Sequence, residues 1–373
     1  MKRAIKQRFY PTEEQAQLLA KTFGCARVVY NHILHWRSEQ YRLAKIKIGY
    51  AQASEKLTKM KKLTDFVWLN EVSCVPWQQV LRHQQKAFSN FFSGRAKYPT
   101  FKKKHAKQSI ELTKSAFTLK DGDIYIAKSK EPLNIRWSRK LTSSPSTITI
   151  SKDAAGRYFV SMLCEFSPLH FPIVKNTIGI DLGITSLFVT DKGEKFDNPK
   201  FTRKYERQLA LAQRRLSKKK LGSSNRNKAR HKVARIHAKI SDCRLDNLHK
   251  LSRKLVNENQ VICVETLKVK NMVRNRKLSK HIADASWGEL LRQLEYKSDW
   301  SGRDLVKIDP FFPSSKKCST PRCGYMNDSM ALDVRDWHCP KCNTHHDRDI
   351  NAAINIKAVG QAVLAFGENV NLV

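Results

Sequence analysis

Thr177-Ile-Gly-Ile-Asp181-Leu-Gly183-Ile-Thr185-Ser-Leu187-Phe-Val-Thr190 reads as a strand, a tight turn and a return strand. The first strand is apolar up to Asp181, where a carboxylate buried without a partner is costly. A second acid stands in the same kind of place, ending the apolar run Val261-Ile-Cys-Val-Glu265, and a third, Asp349, opens the helix-like Asn351-Ala-Ala-Ile-Asn-Ile. Each has a bland reading alone: a turn-side Asp, a strand-end Glu, an N-cap Asp. Together they suit a hard divalent cation. Mg2+ prefers oxygen ligands, and phosphodiester hydrolysis can use two such ions roughly 3.5–4 Å apart to activate water and stabilise the leaving oxygen.

Between the first two acids, residues 201–240 hold fourteen Lys/Arg against one acid, Glu206, while Leu209, Leu216, Val233, Ile236 and Ile240 keep a helical apolar face. A merely solvated face would carry Glu partners at i,i+4 spacing. Their absence points to phosphate contact, with Arg214, Arg215, Lys218, Lys219, Lys220, Arg226, Lys228 and Arg230 as candidates. Between the second and third acids lies Cys318-x4-Cys323-x15-Cys339-x2-Cys342. Two close pairs separated by a loop can bring four thiolates into the tetrahedron of a structural Zn2+ site, which keeps no open position for a catalytic water. The other five cysteines (Cys25, Cys74, Cys164, Cys243, Cys263) stand apart, as reduced cysteines do. An Asp-Leu-Gly-x-Thr hairpin also holds phosphates in sugar kinases and actin-like ATPases. The 14 glycines of this chain, however, do not cluster into the further phosphate and adenosine loops that class needs.

Upstream, residues 11–105 carry helical periodicity. Pro11-Thr12-Glu13-Glu14-Gln15 has capping-box spacing, and a stripe of Val80, Ala87, Phe88, Phe91 and Phe92 runs to a stop at Gly94. From Ser109 the period changes to two. Six short strands follow, with turns at Asp121-Gly122 and Asp153-Ala-Ala-Gly156, so a small antiparallel barrel or sandwich is expected, with Lys2–Phe9 added at its edge. Pro168 to Pro172 reads as a linker.

With 373 residues the chain exceeds one typical domain, and 41% hydrophobic residues suffice for packed cores. Seventy Lys+Arg against 33 Asp+Glu leave a formal charge of +37, which repels itself unless a polyanion neutralises it. No apolar run has the length of a signal peptide or a membrane span. The expected location is cytoplasmic and nucleoid-associated, in a prokaryote.

Gly179-Ile-Asp181-Leu-Gly183, Val264-Glu265-x-Leu267 with Asn271-Met272, Ser314-Ser315-Lys316-x-Cys318, the cysteine pairs, and His346-Asp347-Arg348-Asp349-x-Asn351-Ala352-Ala353-x-Asn355-Ile356 occur in that order. In this the chain resembles the TnpB (OrfB) proteins of bacterial and archaeal insertion sequences. Tyr10-Pro11-Thr12 and Phe91-Phe92-Ser-Gly94 extend the resemblance to the N-terminal half. It implies an α+β multidomain fold: a wedge-type antiparallel β-barrel (1–10 and 106–172) with an inserted helical recognition domain (11–105), then an RNase H-like, RuvC-type nuclease domain (173–313 and 346–373) interrupted by a zinc-ribbon insertion (314–345) that binds target nucleic acid. It also implies a transposon-encoded, RNA-guided DNA endonuclease related to compact type V CRISPR effectors, with catalytic acids Asp181, Glu265 and Asp349 holding Mg2+, two ions in all, and Cys318, Cys323, Cys339 and Cys342 holding Zn2+. Asp349 is preferred to Asp347 because the family's third acid lies in Asp-x-Asn-Ala-Ala. The implied partners are a guide RNA, bound by a single protein copy, and a double-stranded DNA target with a short adjacent motif; no membrane is involved. Two departures stand out. Four residues separate Cys318 from Cys323 where two are usual, and Asn343 stands where Gly is usual. The alternative is a non-catalytic RNA- or DNA-binding regulator or transposase accessory protein, whose acids only fold the core.

Overall fold

The computed structural model describes residues 1–275, 278–331 and 333–366, and the chain divides into two compact units, Met1–Ser167 and Pro168–Val373. The last seven residues of the expected 346–373 segment lie outside the described residues.

The first unit begins with β1 (Lys2–Tyr10), followed by α1 (Glu13–Ala44), α2 (Tyr50–Met60), a 3-10 turn (Thr64–Glu71) and α3 (Val75–Phe92). The capping box forms as its spacing suggests: Thr12 Oγ1 accepts from the Gln15 N–H and Gln15 Oε1 accepts from the Thr12 N–H. Gln15 also donates its amide to the carbonyls of Glu131 and Pro132, so one residue both starts α1 and ties down a distant loop. Six strands follow: β2 (Gln108–Thr113), β3 (Phe117–Lys120), β4 (Asp123–Ile126), β5 (Asn134–Arg136), β6 (Thr147–Lys152) and β7 (Tyr158–Glu165). Their pairings make a five-stranded antiparallel sheet, β2-β6-β7-β1-β5, and a separate β3–β4 hairpin. The hairpin turns at Asp121 and Gly122, both at positive φ (52° and 87°), as a tight two-residue connection requires.

One expectation is corrected here. The first strand is not the last in the sheet: β1 pairs with β7 from Lys2↔Glu165 to Phe9↔Tyr158 and, over Arg8–Tyr10, with β5 on its other side. Its side chains alternate, with Ile5, Gln7 and Phe9 buried and Lys2, Lys6 and Arg8 exposed. The charges leave by one face, and both backbone edges are left to pair.

The second unit opens with the hairpin strands β8 (Thr177–Asp181), β9 (Ser186–Thr190) and β10 (Lys195–Asp197). After α4 (Phe201–Lys204), α5 (Glu206–Ser217) and α6 (Ser224–Glu258), the chain returns as β11 (Val261–Glu265). It passes through α7 (Val269–Met272), α8 (Ser279–Ala285) and α9 (Trp287–Ser301) to β12 (Asp304–Ile308). The small hairpin β13 (Asp336–His338) and β14 (His345–Asp347) then leads into α10 (Arg348–Phe366). The main sheet runs β10-β9-β8-β11-β12, with β8, β11 and β12 parallel. Alternation along β11 divides its side chains between two cores. Ile262 and Val264 join Leu248, Leu255, Leu290 and Leu294 of α6 and α9, while Val261 and Cys263 join Ile356 of α10. The sheet is therefore covered on both faces, which is why its central strands are apolar throughout.

α10 comes unusually close to the sheet. A methyl group on Gly179 would sit inside contact distance of the Ala353 carbonyl, and one on Gly360 inside that of Cys263. Lys357 of α10 adds an ion pair of 2.7 Å to Asp191, which also accepts from the Gly179 N–H.

Candidate active site and metal centre

Asp181 and Glu265 end adjacent parallel strands, one residue beyond the paired positions Ile180↔Val264. Asp349 lies in the first turn of α10, the helix packed over those strands. The bland reading of Asp349 as the N-cap does not hold. That role belongs to Asp347, whose Oδ1 accepts from the N–H groups of Asp349 (2.9 Å) and Ile350 (3.1 Å). Asp347 Oδ2 meanwhile takes a 2.6 Å ion pair from Lys195. Burial works to raise the Asp347 pKa, but Lys195 and the two N–H groups hold it below the usual carboxylate range. The Asp349 carboxylate has Arg335 at 3.5 Å.

Asp181 feels the other two acids. Burial, then the charges of Glu265 and Asp349, push Asp181 up to about 8, against the pull of Arg348 and Arg335. Burial also raises Glu265, opposed by a hydrogen bond from Ser314 Oγ to its Oε1. A carboxylate held protonated by burial and neighbouring negative charge, as Asp181 is, is relieved by a cation, and an all-oxygen donor set fits a hard one. Among the described residues, only the four cysteines bring three or more ligating atoms all within 4.8 Å of one another. The three carboxylates do not all lie within that distance of one another.

Cys318 Sγ lies 3.6 Å from Cys342 Sγ, and Cys323 Sγ lies 3.6 Å from Cys339 Sγ. These separations are far beyond a disulfide bond and compatible with four thiolates around one metal ion such as zinc. Arg322 and Gly324 are at positive φ in the first knuckle, so the two extra residues there are absorbed in a turn. Asn343 adopts φ 55° where a Gly is usual; Asn is the side chain that best tolerates that conformation. The Thr344 hydroxyl and backbone push the Cys342 thiol down to about 5, while Cys318 and Cys323 are raised, so without a metal ion the four sulfurs divide unequally between thiol and thiolate.

Sequence reasoning gave no role to Ser314, Asn351, Asn355 or His346. His346 Nε2 is 3.1 Å from Cys318 Sγ, and its ring lies against Trp337. Asn351 and Asn355 are buried one helical turn apart on α10 and are spent on the backbone of residues 314–319. Two amides at i,i+4 in the otherwise apolar stretch from Asn351 to Ile356 were the available signal.

Of the basic candidates, Arg214, Arg215, Lys218, Lys219, Lys220 and Lys228 are exposed around the α5–α6 turn, and Arg230 is half-buried. Arg226 is different. Its Nη1 donates to the carbonyls of Leu216 and Lys219, closing the end of α5. A groove of about 870 Å3 between the two helices is lined by Leu211, Ala212 and Ile236 and by Arg215, Lys219 and Lys232. Among the described residues no helix is long and apolar enough to cross a membrane.

The arrangement has solved counterparts. A Cas12f1–sgRNA–target DNA complex shares the fold with a TM-score of 0.55 at 13% identity, over 96% of this chain and 98% of that one. The mini-RNA-guided endonuclease CRISPR-Cas_phi3 matches with a TM-score of 0.52 at 10% identity, over 96% and 92%. At such identities the likeness is one of fold. Family sequence profiles go further. The OrfB profile of the IS605 type, described as "Probable transposase", matches residues 162–276, and one described as "Cas12f1-like, TNB domain" matches 287–356. A "Helix-turn-helix domain" profile of the same OrfB family covers 1–45, a span that here holds β1 and the unbroken α1. A "Putative RNA-guided DNA endonuclease" of Streptomyces pristinaespiralis is 51% identical over 373 residues, 99% of this chain and 92% of that protein. The similarly named InsQ of Escherichia coli K12 is 29% identical, over 98% and 94%. This chain belongs to the OrfB (TnpB) family.

Proposed function

We propose that the protein is an RNA-guided DNA endonuclease whose nuclease domain is of the RNase H-like, RuvC type. It is built from residues 173–313 and 346–373, with 314–345 as a zinc-ribbon insertion contacting target nucleic acid. Residues 1–10 and 106–172 form the wedge domain, and 11–105 the recognition domain. What supports the reading is that two acids from remote parts of the sequence end adjacent parallel strands, while a third stands in the first turn of the helix packed across them and its charge acts on Asp181.

Asp181, Glu265 and Asp349 would hold Mg2+. When bound, Mg2+ supplies Lewis-acid stabilisation of the phosphodiester and of the attacking and leaving oxygens. The protein's own part is positional. β8 and β11 fix the two strand-end carboxylates, and α10 fixes the third. Asp347, already paired with Lys195 and the start of α10, stays outside the ligand set. The four thiolates would hold structural Zn2+, and the exposed cations at the α5–α6 turn would neutralise phosphates of the guide or target.

The test is cleavage of a double-stranded DNA matched to the protein's co-purified RNA. Cleavage in Mg2+ and none in chelator, or with a mismatched DNA, is expected. Tight RNA-guided binding with no cleavage under any divalent ion would leave a regulator instead.

A further inference from the structure

Residues Ser314–Ser319 lead into the first cysteine knuckle and lie along α10. Asn355 Nδ2 donates to the carbonyls of Ser314 (2.8 Å) and Lys317 (2.6 Å). Asn351 Nδ2 donates to Lys317 (2.8 Å), and its Oδ1 accepts from the Ser319 N–H (3.0 Å). Ser314, Cys318, Asn351 and Asn355 are all buried. Buried amides are expensive to leave unsatisfied, so the helix holds this strap in one place only while the strap keeps its shape. At one end of the strap Ser314 Oγ donates to Glu265 Oε1. Near the other end, Cys318 is one of the four clustered thiols.

We propose that Ser314 is a positioning residue for Glu265, and that the Ser314–Ser319 strap couples occupancy of the cysteine cluster to cation binding at the carboxylates. The inference rests on the reading of Glu265 as a cation ligand. A hydroxyl bonded to Oε1 sets the rotation of the carboxylate and leaves Oε2 to meet a cation. A cluster without metal lets Cys318 move, and the strap then withdraws Ser314 with it. Outer hydrogen bonds of this kind commonly govern ten- to hundredfold in metal affinity.

Mn2+ serves as the probe, titrated into the full-length protein and read by electron paramagnetic resonance, with the Mg2+ requirement for cleavage read in parallel. Ser314→Ala is expected to weaken the tightest Mn2+ site about tenfold and to raise the Mg2+ needed for half-maximal cleavage similarly, with guided DNA binding unchanged. Ser314→Thr keeps the hydroxyl and should stay within about twofold of the parent. Cys339→Ser should weaken Mn2+ as Ser314→Ala does, and the double variant no further, because both cut the same link. Parental Mn2+ affinity in Ser314→Ala, alongside a loss in Glu265→Ala, overturns the proposal. So does Ser314→Thr behaving like Ser314→Ala. If Glu265→Ala itself retains the site, the assignment of Glu265 falls instead.

Discussion

Asp181 sits where burial and neighbouring charge act together on one carboxylate. Its pKa is raised from 3.8 to about 8 by burial and by Glu265 and Asp349, so between those values the folded, metal-free protein holds a proton that the unfolded chain has released. Its stability therefore falls as pH rises through that window. Asp181→Asn removes the penalty. In chelator at pH 8 it should melt several degrees above the parent, on the order of 1–2 kcal/mol after allowing for solvent, with the gap closing toward pH 4. Thermal melts across pH check this, and a pH-independent gap would contradict it. Asp347, two residues from Asp349, should behave differently. Asp347→Ala loses a helix cap and an ion pair, costing about 1–2 kcal/mol, and should lower the melting temperature while cleavage at 25 °C stays within about tenfold of the parent.

At the scale of elements, α10 carries Asp349 over the strands that end in Asp181 and Glu265, and glycine at 179 permits the helix's approach. Gly179→Ala forces a methyl against the Ala353 carbonyl, a backbone atom that moves only with the helix. Overpacking of this kind costs about 1–3 kcal/mol. Cleavage is expected to fall at least about tenfold, with a lowered melting temperature; parental values in both would show that the helix has room. Much of this architecture was legible beforehand. The capping box at Thr12, the Asp121-Gly122 turn, the apolar runs ending in Asp181 and Glu265, and the cysteine spacing are local patterns, and local patterns write themselves into sequence. The place of β1 inside its sheet was not, because Lys2 meets Glu165 across more than 160 residues. Nor was the choice of cap at α10, since Asp347 and Asp349 are chemically alike and Lys195, far upstream, distinguishes them. Ser314 and Asn355 escaped for the same reason: their partners are set by tertiary approach.

For the whole molecule, charge dominates. A chain at +37 gains affinity for nucleic acid by releasing counterions, so binding weakens steeply with salt. Replacing Arg214, Arg215, Lys218 and Lys219 by Gln should weaken binding of the guide RNA and flatten the logarithmic salt slope by about two to three. An unchanged slope would return those cations to solvent. Arg226 does not belong in that set, because it closes the end of α5. On the proposed reading, charge accounts for binding and three carboxylates account for cutting. Cleavage and guided DNA binding should therefore be measured side by side for Asp181→Ala, Glu265→Ala and Asp349→Ala. Each is expected to lose at least about three orders of magnitude in cleavage while binding its RNA-matched DNA as the parent does. Full cleavage by any one of them, or loss of binding in step with cleavage in all three, would contradict a shared cation site at the ends of β8 and β11.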